Sequence, residues 1–171
     1  MSSNVALRSI VEETIRTVFA GVCLGGGVSL RQAEVIDNYG EGVTDEEFEK
    51  IPLAEIVDNW IAVPFDELEK GYVAHLDAEG LRYYLPALML SVINKYEPSS
   101  MRVIGTLHGL RPKKENLIYD ISRYALLSFE QKQAVAYFLD SLPNLIELDT
   151  EDSTVVKRAI RDYWHDFLPN C

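Results

Sequence analysis

A nearly apolar run from Leu81 to Ile93 constrains the fold of this chain more than any other feature. Within it only Arg82 and Ser91 are strongly polar. A helix that is apolar on almost every side must be surrounded by other elements. We therefore predict a central helix over about residues 78–96, on which the rest of the chain packs, with Asp77 as its N-cap.

Pro86 interrupts this run. Proline lacks a backbone N–H, and its ring clashes with the carbonyl group four residues earlier in a helix. Leu85 is also pushed toward extended geometry because it precedes a proline. Two arrangements are open: a short helix over about 78–84 followed by a second helix that begins at Pro86, or one helix that is kinked there. We favour the two segments.

Helical signals recur through the rest of the chain, and no segment alternates apolar and polar residues long enough to predict a sheet. We expect helices over about 4–20, 30–39 and 153–167, a helix that carries Leu117 and Ile121 and runs to about 126, and a helix that opens at Ser128 and ends at Pro143. Pro52 and Pro64 are each expected to begin a short helix, with Trp60 as an anchor. Capping boxes are predicted at 29–32, 44–47 and 128–131. The prediction is all-α: a single helical domain over residues 1–171, with six to eight unequal helices.

Charge is unevenly distributed along the chain. The net charge is −11, and the first hundred residues hold 17 acidic and 7 basic side chains. An acidic surface repels phosphate backbones, so we expect no nucleic-acid partner. An acidic face suits a basic protein partner, but acidic residues also serve solubility alone.

Neither a membrane span nor a signal peptide is predicted. The longest apolar run is far shorter than the ~20 residues that cross a bilayer, and the first residues lack a basic segment followed by an apolar one. The two cysteines, Cys23 and Cys171, do not form a disulfide framework. We therefore expect a cytoplasmic protein with free thiols.

No catalytic signature is recognised, and we predict no cofactor. The triplet Gly25-Gly-Gly27 lacks the Gly-Lys-Ser/Thr ending of a phosphate loop. His75, Asp77 and Glu79 stand at alternate positions, which would place them on one face of a strand as metal ligands. Here they flank a predicted helix start, where Asp77 serves as a cap, so we predict no metal site.

The residues singled out as ligand or interface candidates are Arg82, Tyr83, Tyr84, Glu79 and His75. An arginine in an apolar helix needs a carboxylate or carbonyl partner, because an unpaired buried charge is very costly. Arg82 therefore either pins the central helix to an acidic group, with the tyrosines filling the core, or lines a pocket for an anionic group with one of them.

Three segments resemble an uncharacterised bacterial family, a domain of unknown function. They are Glu79-Gly-Leu-Arg-Tyr-Tyr-Leu-Pro-Ala-Leu-Met89 after Leu76-Asp77, Leu24-Gly-Gly-Gly-Val-Ser-Leu30, and Leu127-Ser-Phe-Glu-Gln-Lys-Gln-Ala-Val-Ala-Tyr-Phe-Leu139. Trp60 also resembles the pattern of that family. The resemblance implies a small bacterial cytoplasmic protein with one domain, and it carries no known activity or catalytic residue.

The leading hypothesis is a non-enzymatic, protein-interacting helical protein of the immunity or regulatory type that binds a basic partner. Homo-oligomerisation is left open. The alternative is a small-molecule-binding or metal-dependent enzyme with its site near Arg82 and Tyr84.

Overall fold

Helices make up the regular structure of the chain in a computed structural model that describes residues 2–39, 44, 46 and 58–169. These ranges contain eight α-helices and no β-strand, which confirms the all-α prediction. The helices are α1 (Ser2–Val18), α2 (Leu30–Tyr39), α3 (Phe65–Glu69), α4 (Ala78–Asn94), α5 (Met101–Gly109), α6 (Leu117–Ser122), α7 (Phe129–Leu145) and α8 (Thr150–Asp162). Single 3-10 turns lie at 60–62, 72–75, 114–116 and 164–167.

Helix α4 lies at the centre of the fold, as its composition predicts. Twelve of its residues are buried, and it contacts α1, α3, α5, α7 and the turn at 60–62. Asp77 caps it by accepting the N–H of Gly80 at 2.8 Å. Around α4, helices α1 and α7 pack along each other, and the aromatic turn at 164–167 closes one end of α7.

The favoured break at Pro86 is wrong, because α4 runs through Pro86 without interruption. A proline inside a helix costs about 3 kcal/mol, through the lost backbone hydrogen bond and the clash of its ring. Burying a single large apolar side chain contributes about 1.5–3 kcal/mol, and α4 buries several on both sides of the proline. Tertiary packing therefore overrides the local preference. The predicted end at Pro143 is wrong for the same reason, since α7 continues to Leu145, which is itself buried.

The capping predictions within the described residues are confirmed. Ser29 and Gln32 exchange side-chain and backbone hydrogen bonds at 3.1 and 2.8 Å at the start of α2. Ser128 and Gln131 do the same at the start of α7. Pro64 precedes α3, also as predicted. Of the box that begins at Thr44, residues 45 and 47 lie outside the described residues, and so does the start of the helix assigned to Pro52.

Helices α6 and α8 differ from the prediction in their bounds; α8 ends at Asp162, and residues 164–167 form a separate 3-10 turn instead of its last turn. Helix α6 ends at Ser122 rather than near residue 126; Arg123 is its C-cap, and the N–H groups of Tyr124 and Ala125 then bond three residues back, as in turns. Helix α8 begins at Thr150 rather than at residue 153, because Asp149 supplies its cap with a 2.7 Å bond to the Asp152 N–H.

The glycine triplet packs directly against the start of α4. A methyl group at Gly27 would lie 2.6 Å from the Gly80 nitrogen, and one at Gly80 would lie 2.3 Å from the Val28 carbonyl oxygen. Asp77 closes the same junction by accepting the Val28 N–H at 3.0 Å. This segment is a close backbone-to-backbone contact rather than a flexible connection.

Two buried arginines hold the connections around α4. The guanidinium of Arg102, fully buried, donates to Glu69 Oε1 at 2.7 Å, to the Lys95 carbonyl at 2.6 Å and to Ser91 Oγ at 3.3 Å. Arg123 donates to the carbonyls of Val73 and Leu76. Each ties a loop or turn to the core through charge-assisted hydrogen bonds, which are stronger than neutral ones.

A polar network joins the loop after α4 to the start of α8. Tyr96 donates its hydroxyl proton to Asp152 at 2.7 Å and accepts the Asp149 N–H at 3.0 Å. Burial raises the pKa of the Asp152 carboxyl above its ordinary value of 3.8, although the Tyr96 bond acts in the opposite direction.

We expect Asp152→Asn to change how stability depends on pH. Because folding raises the pKa of Asp152, its contribution to stability is fully present below pH 3.8 and is lost as the pH rises through the folded-state pKa. We compare the free energy of unfolding of the wild type with that of Asp152→Asn. The difference, wild type minus variant, should therefore fall as the pH rises from 3.8 through the folded-state pKa of Asp152. Urea titrations of both proteins between about pH 3.5 and 7 measure this difference; a difference that rises with pH contradicts the assignment.

Candidate functional site

The two tyrosines singled out in the sequence belong to the core. Tyr83 and Tyr84 are buried, and their rings meet edge to face with centroids 4.8 Å apart. Burial raises the pKa of each phenol to about 12. Both hydroxyls therefore stay protonated near neutral pH, and the aromatic pair fills space beneath the start of α2 and the loop before it.

The other three candidates point to different surroundings. His75 Nε2 lies 2.9 Å from Asp37 Oδ1 on α2, whereas Glu79 lies beside the glycine triplet. Arg82 is half-buried, and its Nε has no hydrogen-bond partner among the described residues. Among the described residues, His75 and Glu79 therefore have different neighbours. Whether any of the five candidates binds a ligand stays a prediction.

No group of three His, Cys, Asp or Glu side chains suited to a metal occurs within residues 2–39, 44, 46 and 58–169. His75 and Asp77 face different partners, because Asp77 caps α4 and binds the Val28 N–H. Within the same ranges, no helix combines the length and apolar character that crossing a bilayer requires.

A more unusual feature is α6, a helix in which no residue is buried. The exposed fractions of Leu117, Ile118 and Tyr119 are 42%, 89% and 55%, and Leu126 just beyond the helix is 43% exposed. We call these four residues the apolar strip. A helix on a globular protein normally buries its apolar face against the core, so packing within the described chain does not account for this composition.

The strip is held in place from both ends. Before α6, the backbone N–H of Lys113 donates to Asp120 Oδ2 at 2.8 Å. After it, Arg123 is anchored on the Leu76 carbonyl at 3.0 Å, and Tyr124 donates to the Gly109 carbonyl at 2.7 Å. The protein therefore presents the apolar strip on a framework that is fixed to the core.

A cationic pocket of about 250 Å³ lies beside the 3-10 turn that leads into α6. Five basic side chains line it, together with Pro112, Glu115 and Asp162; the basic residues are Arg111, Lys113, Lys114, Arg158 and Arg161. The net charge of the lining is +3 at neutral pH. This contrasts with the net charge of −11 for the whole chain.

Nearby titratable groups respond to this positive charge. The pKa of His108 is lowered, first by burial and then by Lys113 and Arg111. The pKa of the Asp162 carboxyl is lowered mainly by its hydrogen bond from Arg161, with Arg111 and Lys114 adding to the effect. The local potential therefore favours negatively charged groups.

Neither surface is evident from the sequence. The segment Arg111-Pro-Lys-Lys-Glu115 reads as a polar connection, and the spacing of Leu117 with Ile121 indicates a core-facing helix. The missing half of the pocket comes from α8, more than forty residues later. The detectable signal is the i, i+3 spacing of Arg158 and Arg161, which places both on one helical face.

The geometry defines a single-domain, all-α protein with an exposed apolar strip and a cationic pocket. Residues 7–168 match a family described as a family of unknown function, DUF6714, and the chain belongs to that family. The resemblance to an uncharacterised domain family is thereby confirmed. No curated protein and no solved structure matches the chain.

Proposed function

We propose that this protein is a non-enzymatic, protein-interacting helical domain of the immunity or regulatory type, and that it docks through the apolar strip. The observation that supports this function is α6, which exposes three consecutive apolar residues and buries none of its own. Exposed apolar surface edged by polar residues is typical of protein-binding sites. A cytoplasmic location belongs to the same proposal; a bacterial source, which the resemblance implies, stays a prediction.

Helix α6 is short, and the rest of the protein holds it in position, which supports a docking role. Isolated helices shorter than about 12–15 residues are marginal in water, and α6 has six residues. Arg123 and Tyr124 fix its C-terminal end to the core, and Lys113 bonds back to Asp120, while its apolar side chains remain in solvent. A partner that covers Ile118 and Tyr119 would bury apolar area on a site that is already in position, which lowers the entropy cost of binding.

The charged residues next to α6 indicate which chemical groups the partner presents at the interface. Lys113 and Lys114 lie shortly before α6 and are exposed, so a complementary surface combines an apolar depression with carboxylates at its edge.

Self-association is opposed by the net charge of −11 and by the like charges that two facing strips would bring together. The basic partner expected from the sequence relates mainly to residues 41–49, which lie largely outside the described residues. That expectation stays a separate prediction.

Ile118→Asp tests the docking surface. The new carboxylate removes the most exposed apolar contact and repels the acidic edge expected on the partner, so it should abolish capture of that partner from native cell extract. Val5→Asp is the matched control, because Val5 is 67% exposed on α1. Neither change touches the core, and both variants should melt within about 2 °C of the wild type.

The outcomes separate the possible occupants. One protein that is captured by the wild type and Val5→Asp, is lost with Ile118→Asp and binds directly when purified supports the proposal. Identical capture by all three chains contradicts it. A wild-type dimer in light scattering that Ile118→Asp converts to a monomer shows that a second copy, rather than a different protein, covers the strip.

A further inference from the structure

We propose that the cationic pocket is a binding site for a compact phosphate group, either free phosphate or the phosphate moiety of a small molecule. The pocket concentrates five of the chain's 16 lysine and arginine side chains in one place. This site goes beyond the proposed docking function, because it concerns a small anion and uses none of the residues of the apolar strip.

Most of these cations have no carboxylate partner. Within the described ranges, Arg161 is paired with Asp162 at 2.6 Å, while no carboxylate oxygen lies within 4.0 Å of the charged nitrogens of Arg111, Lys113, Lys114 or Arg158. Elsewhere, cations such as Arg102 and Lys70 pair with acids. Holding four unpaired like charges around one cavity is unfavourable, and an anion in the cavity would relieve that repulsion.

Arg111 has a buried donor group without a partner in the described chain. Its Nε atom is buried, and it has no hydrogen-bond acceptor among the described residues. A buried donor that lacks an acceptor costs about 1–3 kcal/mol, more when it is charged. Arg111 also lines the cationic pocket. Because its Nε is closed to solvent, a bound anion is met by the terminal nitrogens of this guanidinium.

The arrangement suits a phosphate in particular. Arg158 and Arg161 lie one helical turn apart on α8, and Arg111 approaches from the connection after α5. Three planar guanidinium groups can donate in pairs to the oxygens of a tetrahedral dianion. A carboxylate offers only two oxygens and one charge. The pocket volume of about 250 Å³ is sufficient for a single phosphate with a small substituent.

The rest of the surface restricts the ligand to compact anions. With a net charge of −11, the protein repels a long polyanion such as a nucleic acid over most of its surface. A single phosphate encounters only the local field of the pocket. We therefore expect binding that weakens with ionic strength and that does not improve when the phosphate is part of a polymer.

Phosphate binding is measured by titrating the ¹⁵N-labelled protein at constant ionic strength with sodium phosphate, with ADP and, for comparison, with sodium acetate. We expect saturable shifts confined to residues 108–116 and 155–163 with phosphate or ADP, and weaker, unsaturated shifts with acetate. If ADP binds more tightly than inorganic phosphate and its binding still depends on Arg158, a nucleotide phosphate is the preferred ligand. If ADP and inorganic phosphate bind with equal affinity, the site recognises the phosphate group alone.

The variant pair Arg158→Gln and Lys157→Gln makes the test specific. The two residues are neighbours on α8, both are exposed and both lose one positive charge, but only Arg158 lines the pocket. We expect Arg158→Gln to weaken phosphate binding about tenfold or more, and Lys157→Gln to change it by less than about twofold.

Three results would overturn the site: no saturable shifts in the wild type up to about 20 mM phosphate, equal losses in the two glutamine variants, or acetate binding as strongly as phosphate. Ile118→Asp should bind phosphate normally. In the wild type, partner capture without saturable phosphate shifts shows that the phosphate site fails, and phosphate binding without partner capture shows that the docking proposal fails.

Discussion

Gly80→Ala should destabilise the protein by about 3 kcal/mol, although alanine favours a helix over glycine by about 1 kcal/mol. The added methyl group would lie 2.3 Å from the Val28 carbonyl oxygen and 3.0 Å from Asp77 Oδ1. Both atoms belong to the junction that joins the glycine triplet to α4, so relief of the clash requires backbone movement. Urea denaturation followed by circular dichroism measures the loss, which corresponds to a melting temperature lower by roughly 6–12 °C.

Gly26→Ala is the matched control at the same junction. Among the described residues, a methyl group there meets only Glu79 Oε2, at an ordinary contact distance of 3.6 Å, and we expect a change within about 1 kcal/mol. If Gly80→Ala is as stable as Gly26→Ala, the triplet does not pack against α4 as described, and a flexible connection would be the better account.

Arg102→Ala should also have a large effect, about 3 kcal/mol of lost stability. The substitution leaves the Lys95 carbonyl and Ser91 without their donor and opens a cavity at a fully buried position. Glu69 is partly exposed, so water can solvate it after the change, which holds the loss near the lower end for a broken buried pair. Arg16→Ala, at an exposed arginine, should change stability by less than about 0.5 kcal/mol.

Glu69→Gln distinguishes the contributions to the Arg102 network. The amide oxygen of glutamine can still accept the hydrogen bond, so we expect a loss of about 1 kcal/mol or less. Equal losses in Glu69→Gln and Arg102→Ala would show that the ion pair, rather than the donation to the backbone carbonyl and the serine, stabilises this region. Equilibrium unfolding of the two variants in parallel decides between them.

Local signals predict much of the fold. The apolar run identifies α4 as the central helix, and serine with glutamine three residues later predicts the starts of α2 and α7. Trp60 is buried as expected, with its indole N–H bound to the Phe19 carbonyl at 2.8 Å. The helix break predicted at Pro86 is wrong, because the proline clash is local. The burial that outweighs this clash depends on helices that are distant in the sequence.

The fully buried arginine that holds an acidic partner is Arg102, in a segment of ordinary composition. Arg82, inside the apolar run, is half-buried, and its Nε has no hydrogen-bond partner among the described residues. The partners of Arg102 come from two separate parts of the chain, Glu69 at the end of α3 and Ser91 with Lys95 at the end of α4, so no spacing in the sequence reveals them. The cationic pocket is assembled in the same way from two distant segments.

Position-specific photo-crosslinking tests the central claim, that the apolar strip is a protein-docking surface, most directly. Tyr119 is replaced by benzoylphenylalanine, which keeps an aromatic side chain at an exposed position of α6, and Val5 is replaced in the same way as the control. After irradiation in native cells, we predict one discrete crosslinked protein at position 119 and none at position 5. Absence of any crosslink at position 119, or the same products at both positions, would contradict the account.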